Sequence, residues 1–193
     1  MKKILFALAM IASLQLGYAQ PRGGAPAGGN RAATAALAAL ETAQKDANDA
    51  KKASKVATWT KLGEAYVAAY TASVGDAWLG ATAQDLSLIL RNLRATATEE
   101  VTVKDQVLTK TSYGAYDYYT NSLGNVVAIV STKPVVENAL DKAVEAYTKA
   151  GQVDTKGSKS KDIAAALQSI SKKYEDEAFS YYTLNRMAEA SES

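Results

Sequence analysis

The apolar residues of this chain change their spacing twice. From Arg31 to Leu93 they recur at three- and four-residue intervals, from Val101 to Val130 they alternate or run β-branched, and from Val136 to Tyr181 the helical interval returns. A period of 3.6 and a period of 2 put side chains on different faces, so neither kind of segment can keep its apolar side covered in the other's structure. The sequence therefore predicts a small sheet set into a helical body.

The alanine-rich segment 31–51 reads as a helix whose thin stripe is Leu37, Leu40, Ala43/Gln44, Ala47 and Ala50, suited to close packing through small side chains. A second helix runs from an N-cap at Ser54 to about Ala72, with Trp59, Leu62, Tyr66 and Ala69/Tyr70 on one face. Gly63 lies beside that face, where glycine costs about 1 kcal/mol against alanine. Close approach of a partner helix is the usual reason for keeping it. Residues 72–81, with Gly75, Trp78 and Gly80, read as a loop. Thr82-Ala83-Gln84-Asp85 has capping-box spacing ahead of a short helix over 83–94, whose face is Leu86, Ile89, Leu90 and Leu93.

Val101/Val103, Val107/Thr109/Thr111, Tyr116/Tyr118 and the run 126–130 predict three or four antiparallel strands over 99–132, with turn chemistry at Ser122-Leu123-Gly124-Asn125. Helix is expected again from Pro134 to a stop at Gly151, with Val136, Leu140, Ala143/Val144, Tyr147 and Ala150 facing inward. Ser160 then caps a long helix to about Leu184 through Ile163, Leu167, Ile170, Tyr174, Ala178 and Tyr181.

The first residues belong to none of this. Lys2 and Lys3, the apolar run Ile4 to Leu16 and the small-residue ending Gly17-Tyr18-Ala19 match a secretory signal peptide, 1–19, too short to span a bilayer. Residues 20–30, rich in Gly, Pro and Ala, read as a flexible leader. Export to the periplasm or the outside follows, with no membrane span once the signal is removed. Without Lys2 and Lys3 the 22 basic residues become 20 against 20 acidic ones, so the mature chain is formally neutral. No basic stripe suited to nucleic acid is present.

Histidine and cysteine are both absent. Their absence excludes disulfides, thiolate nucleophiles, Ser-His-Asp systems and His- or Cys-bearing metal sites. Glu99/Glu100 and Glu175/Asp176/Glu177 could serve as acid/base pairs, but neither cluster has a sequence neighbour that would perturb it, and both read as solvated. Asp154 to Lys161 lacks the alternating oxygen ligands of a calcium loop. No catalytic residue, metal ligand or cofactor-binding residue is expected. Tyr113, Tyr116, Tyr118 and Tyr119 fall in the expected sheet, where Tyr116 and Tyr118 are the candidate ligand contacts; packing on a half-buried strand face is the plainer reading.

Trp59-Thr60-Lys61-Leu62-Gly63-Glu64-Ala65-Tyr66 reads W-x2-L-G-x2-Y and resembles the first helix of a tetratricopeptide (TPR) repeat. Ala143, Tyr147 and Ala150 resemble its second helix, yet Ala143 lies 84 residues after Trp59, against a whole repeat of about 34. Tyr174, Ala178 and Tyr181, with Leu184 to Ala190, resemble a following repeat, departing from the pattern at Glu177 and Asn185.

The resemblance implies a mainly α fold of TPR-like antiparallel helix pairs, with a small antiparallel β-sheet inserted at about 73–133 between the two helices of the first repeat. The helical domain would span 31–193 and stop inside its last repeat, since three residues follow Ala190. The arrangement is similar to exported TPR proteins of Gram-negative bacteria with an interrupted first repeat. It implies a non-enzymatic interaction scaffold for cell-envelope assembly, with a protein or peptide partner and self-association through the C-terminal end as an option. The alternative is a ligand-binding module, for a glycan or a peptide edge strand, acting through the tyrosines of the sheet.

Overall fold

A computed structural model describes residues 28–185. Helices α1 (Gly28–Asn48), α2 (Val56–Val74) and α3 (Ala83–Ile89) come first. Strands β1 (Ala97–Val103), β2 (Gln106–Ser112), β3 (Tyr116–Thr120) and β4 (Val126–Ser131) follow, and helices α4 (Ala139–Val153) and α5 (Ser160–Thr183) complete the described residues. The signal segment, the leader up to residue 27 and the end from Arg186 through Ala190 lie outside them. Gly28–Asn30, read as leader, belong to α1.

The change of period is realised as a four-stranded antiparallel meander in the order β1-β2-β3-β4. A two-residue turn joins β1 to β2, with Lys104 (φ 49°) and Asp105 (φ 64°) both left-handed, the twist that matches a hairpin. Between β3 and β4 the Asn121 side chain accepts from the backbone N–H groups of Leu123 and Asn125, closing the turn expected there. Val126, Ala128 and Val130 alternate inward along β4.

In the helical body α2 packs against both α1 and α4, and α5 covers α4 and β4. The buried line of α1 is Ala36, Leu40 and Ala43; Leu37, expected inside, is 44% exposed. Ala36 meets Ala69 and Ala72 of α2, so small side chains do bring these helices together.

Helix ends departed from expectation where a side chain found another partner. Ser54 does not cap α2: its hydroxyl donates to Lys51 O, and Lys55 stands at the N-cap without a side-chain bond. Trp59 secures this turn instead, its indole N–H donating to Ala53 O at 2.7 Å. Thr82 and Asp85 form the expected reciprocal capping box, but α3 ends at Ile89 rather than near 94. Pro134 does not open α4, which starts only at Ala139 after a left-handed Asn138 (φ 53°). The preceding segment is held by α2, because Val135 N donates to Ser73 Oγ at 2.8 Å and Val136 packs on α1 and α2. Gly151 does not stop α4, which runs on to Val153. Asp154 caps the following loop by accepting from Ser158 N and Lys159 N, and these bonds hold its carboxyl below the usual range. Ser160 is the first residue of α5 and donates to Gly157 O.

Two hydroxyls attach the sheet region to the helices. Ser73 accepts from Val135 as above and donates to Ala69 O. Ser180 of α5 accepts from Ile129 N of β4 at 3.1 Å and donates to Asp176 O. The loop after α2 adds a bridge, with Gly80 N bonded to Val126 O and Val126 N to Ala81 O.

Candidate functional site

The residues singled out as a repeat signature fall into two groups. Trp59, Leu62, Gly63 and Tyr66 of α2 and Ala143, Tyr147 and Ala150 of α4 come together in adjoining apolar clusters between those helices. Burying Leu62 alone stabilises by about 1.5–3 kcal/mol. Gly63 makes the approach possible: a Cβ there would stand 2.6 Å from Cε2 and 2.8 Å from Cζ of Tyr147. Ala178 and Tyr181 sit on α5, half-buried, away from that contact. Ala190 lies outside the described residues.

The tyrosines expected to offer a ligand surface are enclosed. Tyr116 and Tyr118 are 3% and 1% exposed, and their rings stand 5.0 Å apart in a cluster completed by Tyr113. They pack under the left-handed Gly75 at the end of α2, and Tyr118 Oη accepts from Ala77 N. Burial pushes both hydroxyls up from the ordinary tyrosine value. Rings so covered present no open face for stacking, and Tyr116 contributes only to the lining of a groove beside α2.

The other carboxylates divide. Glu99 pairs with Lys110 at 2.9 Å, and Lys110 also reaches the buried Asp117 at 3.5 Å. Glu177 overturns the expectation that its cluster is simply solvated. Burial first, then the Asp141 charge, pushes its carboxyl above the ordinary value. Among the described residues no group of three or more acidic side chains is arranged to hold a metal, and no helix is long and apolar enough to cross a membrane.

A groove of about 840 Å³ lies between α1, α2 and α3. Its walls follow from helical spacing. Ala32, Ala35 and Ala39 of α1 lie one turn apart and are exposed, while Ala36 among them is buried in the floor. Val67 and Ala68 give α2's side, Ile89 at the end of α3 and Leu93 beyond it close the groove, and Glu64 and Asp76 are the charged residues of the lining. Tyr147 reaches the same groove, so the ring that Gly63 admits is part of its wall. The sequence signal for this wall was present in alanines 32, 35, 36 and 39, whose spacing is helical. The general alanine richness of the segment hides them as a face.

The groove can take apolar side chains on a wall with little relief, bounded by two carboxylates. No family model matches the chain, and no curated protein or solved structure matches it.

Proposed function

We propose that the chain is a non-enzymatic, exported interaction scaffold of tetratricopeptide type, and that the groove between α1, α2 and α3 receives a segment of a partner protein. The observation that carries this reading is the groove itself, whose exposed alanines leave a smooth apolar wall. Small side chains let a guest helix or extended peptide approach the backbone closely, as helix-in-groove recognition requires. Glu64 and Asp76 select a guest with an apolar face and a flanking Lys or Arg, since opposite charges at a rim set orientation and encounter rate.

The packing of α2 on α4 supports the further reading of these helices as two halves of one repeat, with the sheet as its insertion. Signature residues from both segments meet at Gly63 and Tyr147. A role in organising envelope proteins follows from the signal-like first residues together with a groove suited to a peptide.

Site-specific photocrosslinking in the native cells tests the groove. A benzophenone side chain at Ala35 or Ala68 is expected to give a discrete crosslinked protein, absent from the same probe at Lys149. The product should disappear when Ala68 is additionally made Arg in the Ala35 probe strain. Equal products from Ala35 and Lys149 would refute the groove as the docking surface.

A further inference from the structure

A second cavity, of about 350 Å³, shares no lining residue with the groove. It lies where α2, the connection from β4 to α4, the start of α4 and α5 meet. Tyr70, Tyr174 and Tyr181 line it together with Glu137, Asp141 and Glu177, and no Lys or Arg does. Glu137 and Asp141 are exposed at its mouth, whereas Glu177 is half-buried. The Tyr174 hydroxyl donates to Asp141, tying α5 to α4, and Glu177 is hydrogen-bonded to Tyr181. Ser131, also on the lining, has a buried hydroxyl with no hydrogen-bond partner among the described residues.

We propose that this cavity binds an alkylammonium group, carried either by a free amine or by a lysine side chain of a peptide. An ammonium has three donors and no acceptor, while the carboxylates and the Ser131 hydroxyl supply acceptors. Tyrosine faces attract a cation within about 6 Å, and a cavity of this size falls at the small end of ligand pockets, about 300–1,000 Å³. The tyrosine face is already used this way nearby: Lys173 Nζ, outside this cavity, stands 5.6 Å from the Tyr70 ring centroid. An anion would meet carboxylates without a counter-charge in the lining. A metal ion would lack a ligand set, because no such grouping of acidic residues exists among the described residues.

The charges around Glu177 point the same way. Burial and Asp141 from α4 raise its carboxyl, and the hydroxyls of Tyr70 on α2 and Tyr174 on α5 are pushed up, burial being the largest cause in each. Asp176 also acts on Tyr70. Lys173 of α5 is the cation packed beside Tyr70, and Glu137 lies at the mouth. Negative charge is thus held at a cost that an entering ammonium relieves, and binding should release a proton from Glu177 wherever it is still protonated.

The test is an amide-resolved NMR titration of the full chain with n-butylammonium chloride and, separately, with Nα-acetyl-lysine amide; n-butanol and sodium chloride are the controls. Saturable shifts at Ser73, Leu140 and Glu177 with either ammonium probe, and none with n-butanol, are expected. Tighter binding of butylammonium assigns the site to a free amine, and tighter binding of the lysine amide assigns it to a peptide. Affinity should fall as pH is lowered through the Glu177 titration, and Glu177→Gln should weaken binding roughly tenfold, the loss of one partly desolvated charge partner. Asp141→Asn, at an exposed position, gives the same comparison should Glu177→Gln disturb folding. Equal affinity for n-butanol, no saturation by about 100 mM ammonium, a free energy near 1.4 kcal/mol, or unchanged affinity in both variants would each overturn the proposal.

Discussion

Replacing Gly63 by alanine sets two effects of opposite sign against each other. Alanine in a helix interior is favoured over glycine by about 1 kcal/mol. The new methyl would lie 2.6–2.8 Å from three ring carbons of Tyr147, well inside ordinary contact. That ring is 6% exposed and hemmed by Ala143, Ala150 and Leu140, and overpacking a core in this way costs about 1–3 kcal/mol. The net effect in the parent chain is therefore a loss of about 0–2 kcal/mol, or up to about 8 °C in Tm at 2–4 °C per kcal/mol. In a Tyr147→Leu background the obstructing ring is gone. The same Gly63→Ala change should then stabilise by about 1 kcal/mol. Urea denaturation followed by helical circular dichroism on the four chains of this cycle measures the coupling, expected at about 1–3 kcal/mol. Additive effects, with Gly63→Ala stabilising both backgrounds equally, would refute the close approach of α2 and α4 as the reason for this glycine.

Gly75→Ala should be harsher, since its backbone (φ 77°, ψ −170°) lies where glycine alone is at ease and a Cβ would collide with Tyr118 Oη and stand 2.7 Å from Tyr116 Cζ; a loss of about 3 kcal/mol or more in urea denaturation is expected. Ser73→Ala removes the acceptor for Val135 N–H and should cost about 1–3 kcal/mol, with faster hydrogen exchange at the Val135 amide as its local signature. Glu177→Gln should stabilise the free chain at neutral pH. Its folded carboxyl titrates above the ordinary 4.5, so the folded state holds the proton more tightly than the unfolded one and pays for ionisation as pH rises. The advantage of glutamine should therefore shrink as pH falls through the raised value and vanish below 4.5; melting curves from pH 3 to pH 8 check this, and an advantage that grows toward acid would contradict the burial of Glu177.

The change of apolar period carried the architecture well, because a period is a property of consecutive residues and survives whatever they pack against. Strands expected over 99–132 are found from Ala97 to Ser131. Caps were less legible, since each hydroxyl had several backbone groups in reach: Thr82 took the partner its spacing suggested, while Ser54 bonded backward to Lys51. The signature residues of α2 and α4 meet as adjoining clusters, whereas Ala178 and Tyr181 lie apart on α5, and neither candidate site is readable in the sequence. Alanine has the same helix preference in a core and on a groove wall, so Ala35 and Ala36 look alike until α2 covers one of them. Tyr116 and Tyr118 are suited both to a binding face and to packing; the backbone of Gly75 and Ala77, some 40 residues earlier, decides for packing. Glu177 is perturbed by burial and then by Asp141, 36 residues away on another helix, and no local pattern displays either.

The bonds between Gly80, Ala81 and Val126 bear on the route to the folded state. The α2–α4 contact joins helices separated by 64 residues, from Val74 to Ala139, and closing so long a loop is slow. Once the hairpins form and Val126 bonds back to Gly80 and Ala81, the connection is already closed on itself, leaving at most 12 residues to close, 75–79 and 132–138. The loop-closure cost then falls by about 1.5 kcal/mol, roughly tenfold in rate if paid at the barrier. A sheet that folds from neighbouring strands thus acts as a clamp for the distant helices, and destabilising its Val126 bridge should slow the docking of α4 on α2 before it changes the finished contact.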